Sequence, residues 1–169
     1  NIKSKTILSE TQNNGRNGKK NENAGKFNIL IGIDPDAEKS GFAYYDKKRK
    51  LLELSNRDFF DLYSYLQYYS RKYRVTTKVY IEAGWMNKSN WHKVNGKSAA
   101  INANIGQRVG ANHETGKKIV EMCEYLGLEY QLVKPTKSKV NSEIFKKITG
   151  YTGRTNQEQR DSAMLVWNR

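Results

Sequence analysis

An α/β fold built on one mixed five-stranded sheet is predicted by three features of the sequence. Three short apolar segments follow one another closely at 27–54, two more at 78–83 and 130–133 are separated by helix-patterned stretches, and no internal repeat is visible. Strands that meander and then alternate with helices give antiparallel pairs first and parallel pairs afterwards, with helices on the faces. At 169 residues and 19.5 kDa the chain has the size of one domain.

Phe27, Ile29, Leu30, Ile31 and Ile33 make a nearly continuous apolar run, the pattern of a strand buried on both faces. It ends at Asp34-Pro35-Asp36, where proline fixes φ and aspartate bonds nearby backbone. The second strand is expected at 41–46 (GFAYYD) and the third at 50–54, joined by a Lys47-Lys48-Arg49 link short enough for a hairpin. Asp58 caps a helix in which Phe59, Leu62, Tyr63, Leu66 and Tyr69 recur every three or four residues. Strand four is 78–83 (KVYIEA), followed by a polar, basic loop at 84–97 that carries Trp85 and Trp91. From Ser98 a long helix places Ile101, Ile105, Val109, Ile119, Val120 and Cys123 near one stripe; it is expected to falter at Gly116 and to end at Gly127. Strand five covers 130–133, a helix 137–149 and a turn 150–154, and Thr155 or Asn156 caps a last helix reaching Trp167.

Thirty Lys+Arg against seventeen Asp+Glu leave a net charge of +13 and a pI near 9.7. Such an excess points to a polyanionic partner, nucleic acid first and an anionic membrane face second. The membrane option is the weaker, because no amphipathic helix carries its basic residues on one face alone. Residues 1–26 hold six Asn and three Gly and carry +4, too polar to repay the entropy of ordering. They are expected to form a flexible basic tail ahead of a folded, still basic unit at 27–169. The single Cys123 excludes an internal disulfide framework and a Cys-based zinc finger, and His92 and His113 are too few for a His-rich metal site. No apolar run approaches the roughly twenty residues that span a bilayer, and no signal-peptide stretch is visible. A soluble protein of the reducing cytoplasm is expected.

Four carboxylates stand out by position. Asp34 closes the first strand, Glu82 lies near the end of the fourth, and Glu158 and Asp161, three apart on the last helix, point the same way. Adjacent parallel strands place their carboxyl ends side by side, where sites in open α/β sheets form. A helix packed across that edge brings Glu158 and Asp161 toward Asp34 and Glu82. Converging acids repel and need a cation, and oxygen ligands without His or Cys select Mg2+ or Mn2+. Two such ions per site would stabilise the attacking and leaving oxygens of a phosphodiester displacement. An acidic centre in a basic surface fits a nuclease. Singly, each acid has an ordinary alternative. Asp34 before Pro35 closes a turn, Glu82 joins an ion pair that spares it the cost of unpaired burial, Glu158 complements the helix dipole, and Asp161 bridges to a lysine.

In order and spacing, the segments ILIGIDPDAEKSGFAYYD (29–46), VYIEAGW (79–85), NIGQRVGA (104–111), KPTKSKV (134–140) and NQEQRDSAMLV (156–166) resemble the RuvC-type Holliday junction resolvases of the RNase H-like (retroviral integrase) superfamily. The resemblance covers about residues 27–167. It implies an RNase H-like mixed five-stranded sheet, three antiparallel strands then two parallel ones, flanked by helices. It further implies a two-metal endonuclease that nicks four-way DNA junctions symmetrically, with Asp34, Glu82, Asp161 and, as a longer oxygen ligand, Glu158 at the metals, and no small-molecule cofactor. Glu158 stands where the family usually carries Asp or His, and Asp36 where the family has Gly. Asp36 either holds a metal-bound water or caps its turn.

Trp85 falls where the family places an aromatic in the junction-contacting loop. A tryptophan there, and Trp91 beside it, can stack on an unpaired base for roughly 1–3 kcal/mol, or pack back on the helices. Lys88, Lys93 and Lys97 around them, and a second cluster of Lys134, Lys137, Lys139, Lys146 and Lys147, are candidate phosphate contacts. Two symmetric nicks need two sites, hence a homodimer, for which Gly106 and Gly110 on the long helix suit close pairing; packing on the sheet would explain them too. His92 and His113 receive no role. The alternatives are an RNase H-like nuclease of RNA–DNA hybrids or flaps, and an inactive nucleic-acid-binding module of the same fold.

Overall fold

The computed structural model describes residues 26–87, 98–136, 138–167 and 169. Strands β1 (Ile29–Asp34), β2 (Ser40–Asp46) and β3 (Leu51–Arg57) come first, then helix α1 (Phe59–Tyr73) and β4 (Thr77–Glu82). Helix α2 (Ala99–Leu126), β5 (Glu129–Val133), α3 (Ser142–Thr149) and α4 (Gln157–Met164) complete the chain. The sheet order is β3-β2-β1-β4-β5. β1 pairs antiparallel with β2, and β2 with β3, whereas β4 runs parallel to both β1 and β5. This is the α/β mixed sheet expected from the sequence, antiparallel pairs first and parallel pairs after.

The central strand is covered on both faces, which is why its apolar run is unbroken. Ile29, Ile31 and Ile33 pack with Leu62, Leu66, Ile119 and Cys123 of α1 and α2. On the other face Leu30 meets Phe145, Ala163 and Val166 of the α3–α4 side. Two glycines let α4 lie directly on the strands. A Cβ added at Gly32 would stand 2.0 Å from the Ser162 carbonyl oxygen, and one at Gly41 2.3 Å from that of Glu158. The height of α4 above the sheet is therefore set by backbone contact.

Caps match the sequence closely. Asp58 accepts from the Asp61 amide at 2.9 Å. Asn156 caps α4 in a reciprocal capping box with Gln159, choosing between the two candidates. Gly127 closes α2 in the left-handed region at φ 63°.

Several boundaries differ from expectation, α4 among them, which ends at Met164 rather than Trp167. β3 continues to Arg57, whose guanidinium stacks 3.7 Å from the Tyr65 ring centroid and pairs with Asp61 at 2.8 Å. Helix α2 runs unbroken through Gly116, which is buried beneath Trp85 and Pro35 rather than breaking the helix. Helix α3 begins at Ser142 instead of 137, because the Asn141 side chain takes the Ile144 amide and caps it there. Among the described residues no helix is long and apolar enough to cross a membrane. The tail up to residue 25, and Lys88, Trp91, His92, Lys93, Lys97 and Lys137, lie outside the described residues.

Candidate active site

The parallel register pairs Ile33 with Ile81, so Asp34 and Glu82 follow one residue later on adjacent strands, both ending at the same sheet edge. Helix α4 crosses β1 and β2 and brings Asp161 to that edge. The carboxylates feel one another. Burial, chiefly, and then the charges of Glu82, Asp161 and Glu158 push Asp34 up to about 7, against the opposing pull of Lys139. Glu82 is raised as well, first by burial and also by Asp161, with Lys139 again opposing.

The cation at the centre of these acids is a lysine. Lys139 Nζ donates to Asp161 Oδ2 at 2.5 Å and stands 4.0 Å from Glu82 Oε1. Burial opposes its charge, but the Asp161 hydrogen bond and the three nearby acids outweigh that and hold the ammonium above its usual range. Among the described residues no three His, Cys, Asp or Glu side chains stand at metal-holding spacing. The acids lie near enough to act on one another's charge, and the Lys139 ammonium stands between Glu82 and Asp161. Asp161 takes up the lysine partnership that its isolated reading allowed, and Lys139 is a counter-ion of the site as well as a candidate phosphate contact.

The donor set fits a hard divalent cation. Every side chain offered is a carboxylate, the composition selected by Mg2+ or Mn2+. In this structure their repulsion is met by the Lys139 ammonium and by the raised proton affinity of Asp34. Asp34, Glu82 and Asp161 would be the ligands. Glu158 sits at the margin: its carboxylate accepts from Asn56 Nδ2 at 2.9 Å and Asn156 Nδ2 at 3.3 Å, and it is the weakest of the influences on Asp34. Replacing Lys139 by Met removes the resident positive charge. The chelator-treated variant is expected to melt below wild type, and its melting temperature should climb more steeply with added Mg2+. Identical Mg2+ responses in a thermal-shift titration would disconnect Lys139 from a cation site.

Arg160 and Gln157 organise this edge, and neither stood out in the sequence. Gln157 Nε2 donates to Asp161 Oδ1 at 2.8 Å, fixing the carboxylate from one helical turn away. Arg160 donates to the Val140 carbonyl at 3.0 Å and the Thr155 carbonyl at 2.9 Å, pinning the segment beside Lys139. The signal was the i, i+4 spacing of Gln157 and Asp161.

The other candidates fall as follows. Trp85 lies in a short turn after Glu82 and packs against the core, its ring seated on Gly116 and 6.4 Å from the His113 ring. Packing on the helix, one of its two sequence readings, is the placement found. Asp36 accepts from the Glu38 amide at 2.8 Å and from Asn112 Nδ2 at 3.1 Å, so it caps its turn and ties the loop to α2. Lys134 is exposed next to the acids, while Lys146 and Lys147 are exposed in the last turn of α3, where they complement the helix dipole. Gly106 and Gly110 are exposed with open space at their Cβ positions, so neither packs on the sheet.

The fold is similar to that of T. thermophilus RuvC. That structure, a complex with a Holliday junction substrate, matches 82% of this chain and 90% of its own at 11% identity and a TM-score of 0.49. No family model and no curated protein matches the chain. The functional reading rests on the side chains instead.

Proposed function

We propose that the protein is a divalent-metal-dependent endodeoxyribonuclease that resolves four-way DNA junctions, acting as a homodimer that makes two symmetric nicks. The observation that carries the nuclease reading is the meeting of Asp34, Glu82 and Asp161, from two strands and a helix, in a chain of charge +13. The junction preference rests on the sequence resemblance.

Within this reading the chain divides two tasks. The carboxylates at the sheet edge would hold the ions, which would activate water and supply counter-charge to the leaving 3′ oxygen. The basic surface draws the phosphate backbone toward them, with Lys134 and Lys139 adjacent to the acids. Gln157 holds the Asp161 carboxylate in place before substrate arrives. With all four acidic positions filled, the inactive-module alternative has little to recommend it.

Cleavage of a labelled four-way junction, compared with duplex, flap and RNA–DNA hybrid, with and without Mg2+, tests the reading. Paired nicks in the junction alone, lost on chelation, are expected. Equal cutting of all four substrates would leave a general nuclease, and preference for the hybrid would transfer the activity to that substrate.

A further inference from the structure

Beside the acids, β5, the segment after it and the end of α4 enclose a cavity of about 250 Å³. Glu82 and Asp161 form one of its walls, so it opens from the candidate active site itself. Its other surfaces have a different chemistry. Val133, Val140, Met164 and Leu165 supply apolar lining, and Lys134, Lys139 and Arg169 supply positive charge.

Two of these surfaces are fixed in advance. The Val140 carbonyl is held by Arg160 and by Gln157, so this wall does not depend on a ligand to form. Arg169 is anchored through its Nε to the Leu165 carbonyl at 2.9 Å, its guanidinium 4.9 Å from the Tyr80 ring centroid. The hydroxyls of Thr136 and Ser138 line the cavity as well.

A bare inorganic anion would use the cations and leave the apolar lining idle. An apolar ligand would leave Lys134 and the Arg169 guanidinium facing no anion, Lys139 being already paired with Asp161. A nucleotide, with an anionic phosphate on an uncharged sugar and base, uses both. We propose that this cavity is a nucleotide subsite, receiving the unit next to the scissile phosphate, with its phosphate toward Lys134 and Arg169 and its sugar or base against Val133 and Leu165. The proposal deepens the nuclease reading and rests on it for the placement of the scissile phosphate. It adds a recognition element on the β5 side of the acids.

The test separates the two claims. Thymidine 5′-monophosphate, thymidine and inorganic phosphate are titrated into the whole protein by calorimetry. The nucleotide should bind at least tenfold more tightly than either fragment. Ser138→Trp and Thr136→Trp, at exposed rim positions, should each weaken nucleotide binding at least tenfold with an unchanged circular dichroism spectrum. In junction cleavage the same variants should raise KM with little change in kcat. Equal affinity for nucleotide and phosphate, or nucleotide binding untouched by both variants, overturns the subsite. Loss of nucleotide binding in the variants of a protein that cuts no nucleic acid keeps the subsite and removes the nuclease. Junction cleavage by wild type with KM unmoved in both variants does the reverse.

Discussion

Asp34→Asn is expected to abolish Mg2+-dependent cleavage while stabilising the metal-free protein at neutral pH by about 4 kcal/mol. The stabilisation follows from linkage. Asp34 is raised from 3.8 to about 7, by burial first and by its acidic neighbours second, so the folded state keeps a proton that the unfolded chain has already lost. As pH climbs from about 4 to about 7 the unfolded state binds fewer protons than the folded one, and stability falls across that window. Below it the side chain is neutral in both states and costs nothing; above it the full penalty is present. Asparagine has no charge to lose, so this part of the decline vanishes, leaving the smaller slope contributed by Glu82. In a domain of this size the gain corresponds to roughly 8–16 °C in Tm at pH 8 with chelator present, and to almost nothing at pH 4. Junction binding should survive. A variant whose melting curve tracks wild type at every pH would show that Asp34 is not under strain, and residual cleavage would remove it from the catalytic group.

Gly32→Ala is expected to be the most disruptive single methyl in the chain. The new Cβ would lie 2.0 Å from the Ser162 carbonyl oxygen, 3.0 Å from its carbon and 3.2 Å from Val166 Cγ1. Those first two atoms belong to helix backbone, which cannot swing aside as a side chain can. Either α4 lifts off the sheet or β1 bends, and both surrender packing around Leu30, Ala163 and Val166. The loss is estimated at about 3 kcal/mol or more, the upper end of overpacking. Lifting α4 also moves Asp161 away from Glu82, so activity should fall further than the unfolded fraction explains. Gly106→Ala is the matched control. It lies within α2 with nothing near its Cβ position and should gain about 0.5–1 kcal/mol of stability. Urea midpoints of the two variants decide the matter; a Gly32→Ala protein as stable as wild type would mean that α4 does not rest on β1 as described.

What the sequence made legible was whatever depended on near neighbours. The bilateral burial of β1 was written in its unbroken apolar run, the hairpin in the Lys47-Lys48-Arg49 link, and the end of α2 in Gly127. Asp34 and Glu82 could be matched because strand ends in a parallel pair are neighbours by construction of the sheet. Failures occurred where a distant residue decided the outcome. Gly116 reads locally as a helix breaker, yet it is there because Trp85 presses on that face of α2. Trp85 reads as a loop aromatic with two possible fates, and its packing partner, like Gly116, is thirty-one positions further along. Lys139 reads as one lysine among many; its bond to Asp161 spans twenty-two residues and obeys no periodicity. The late start of α3 is a smaller case, in which Asn141 competed with the helix pattern and won.

Helix α2 is also two helices in energetic terms. No side chain of residues 98–115 is fully buried, whereas Gly116, Ile119, Met122 and Cys123 are locked into the core. The inner segment can melt only with the domain, and Asn112, bonded to Asp36 and to the Ala37 amide, ties the turn before it to the β1–β2 loop. The turns ahead of Asn112 are held more by their own helix–coil equilibrium, which is marginal at such lengths in water. Warming or denaturant should therefore fray α2 from its amino end inward, halting near Asn112 until the whole molecule opens.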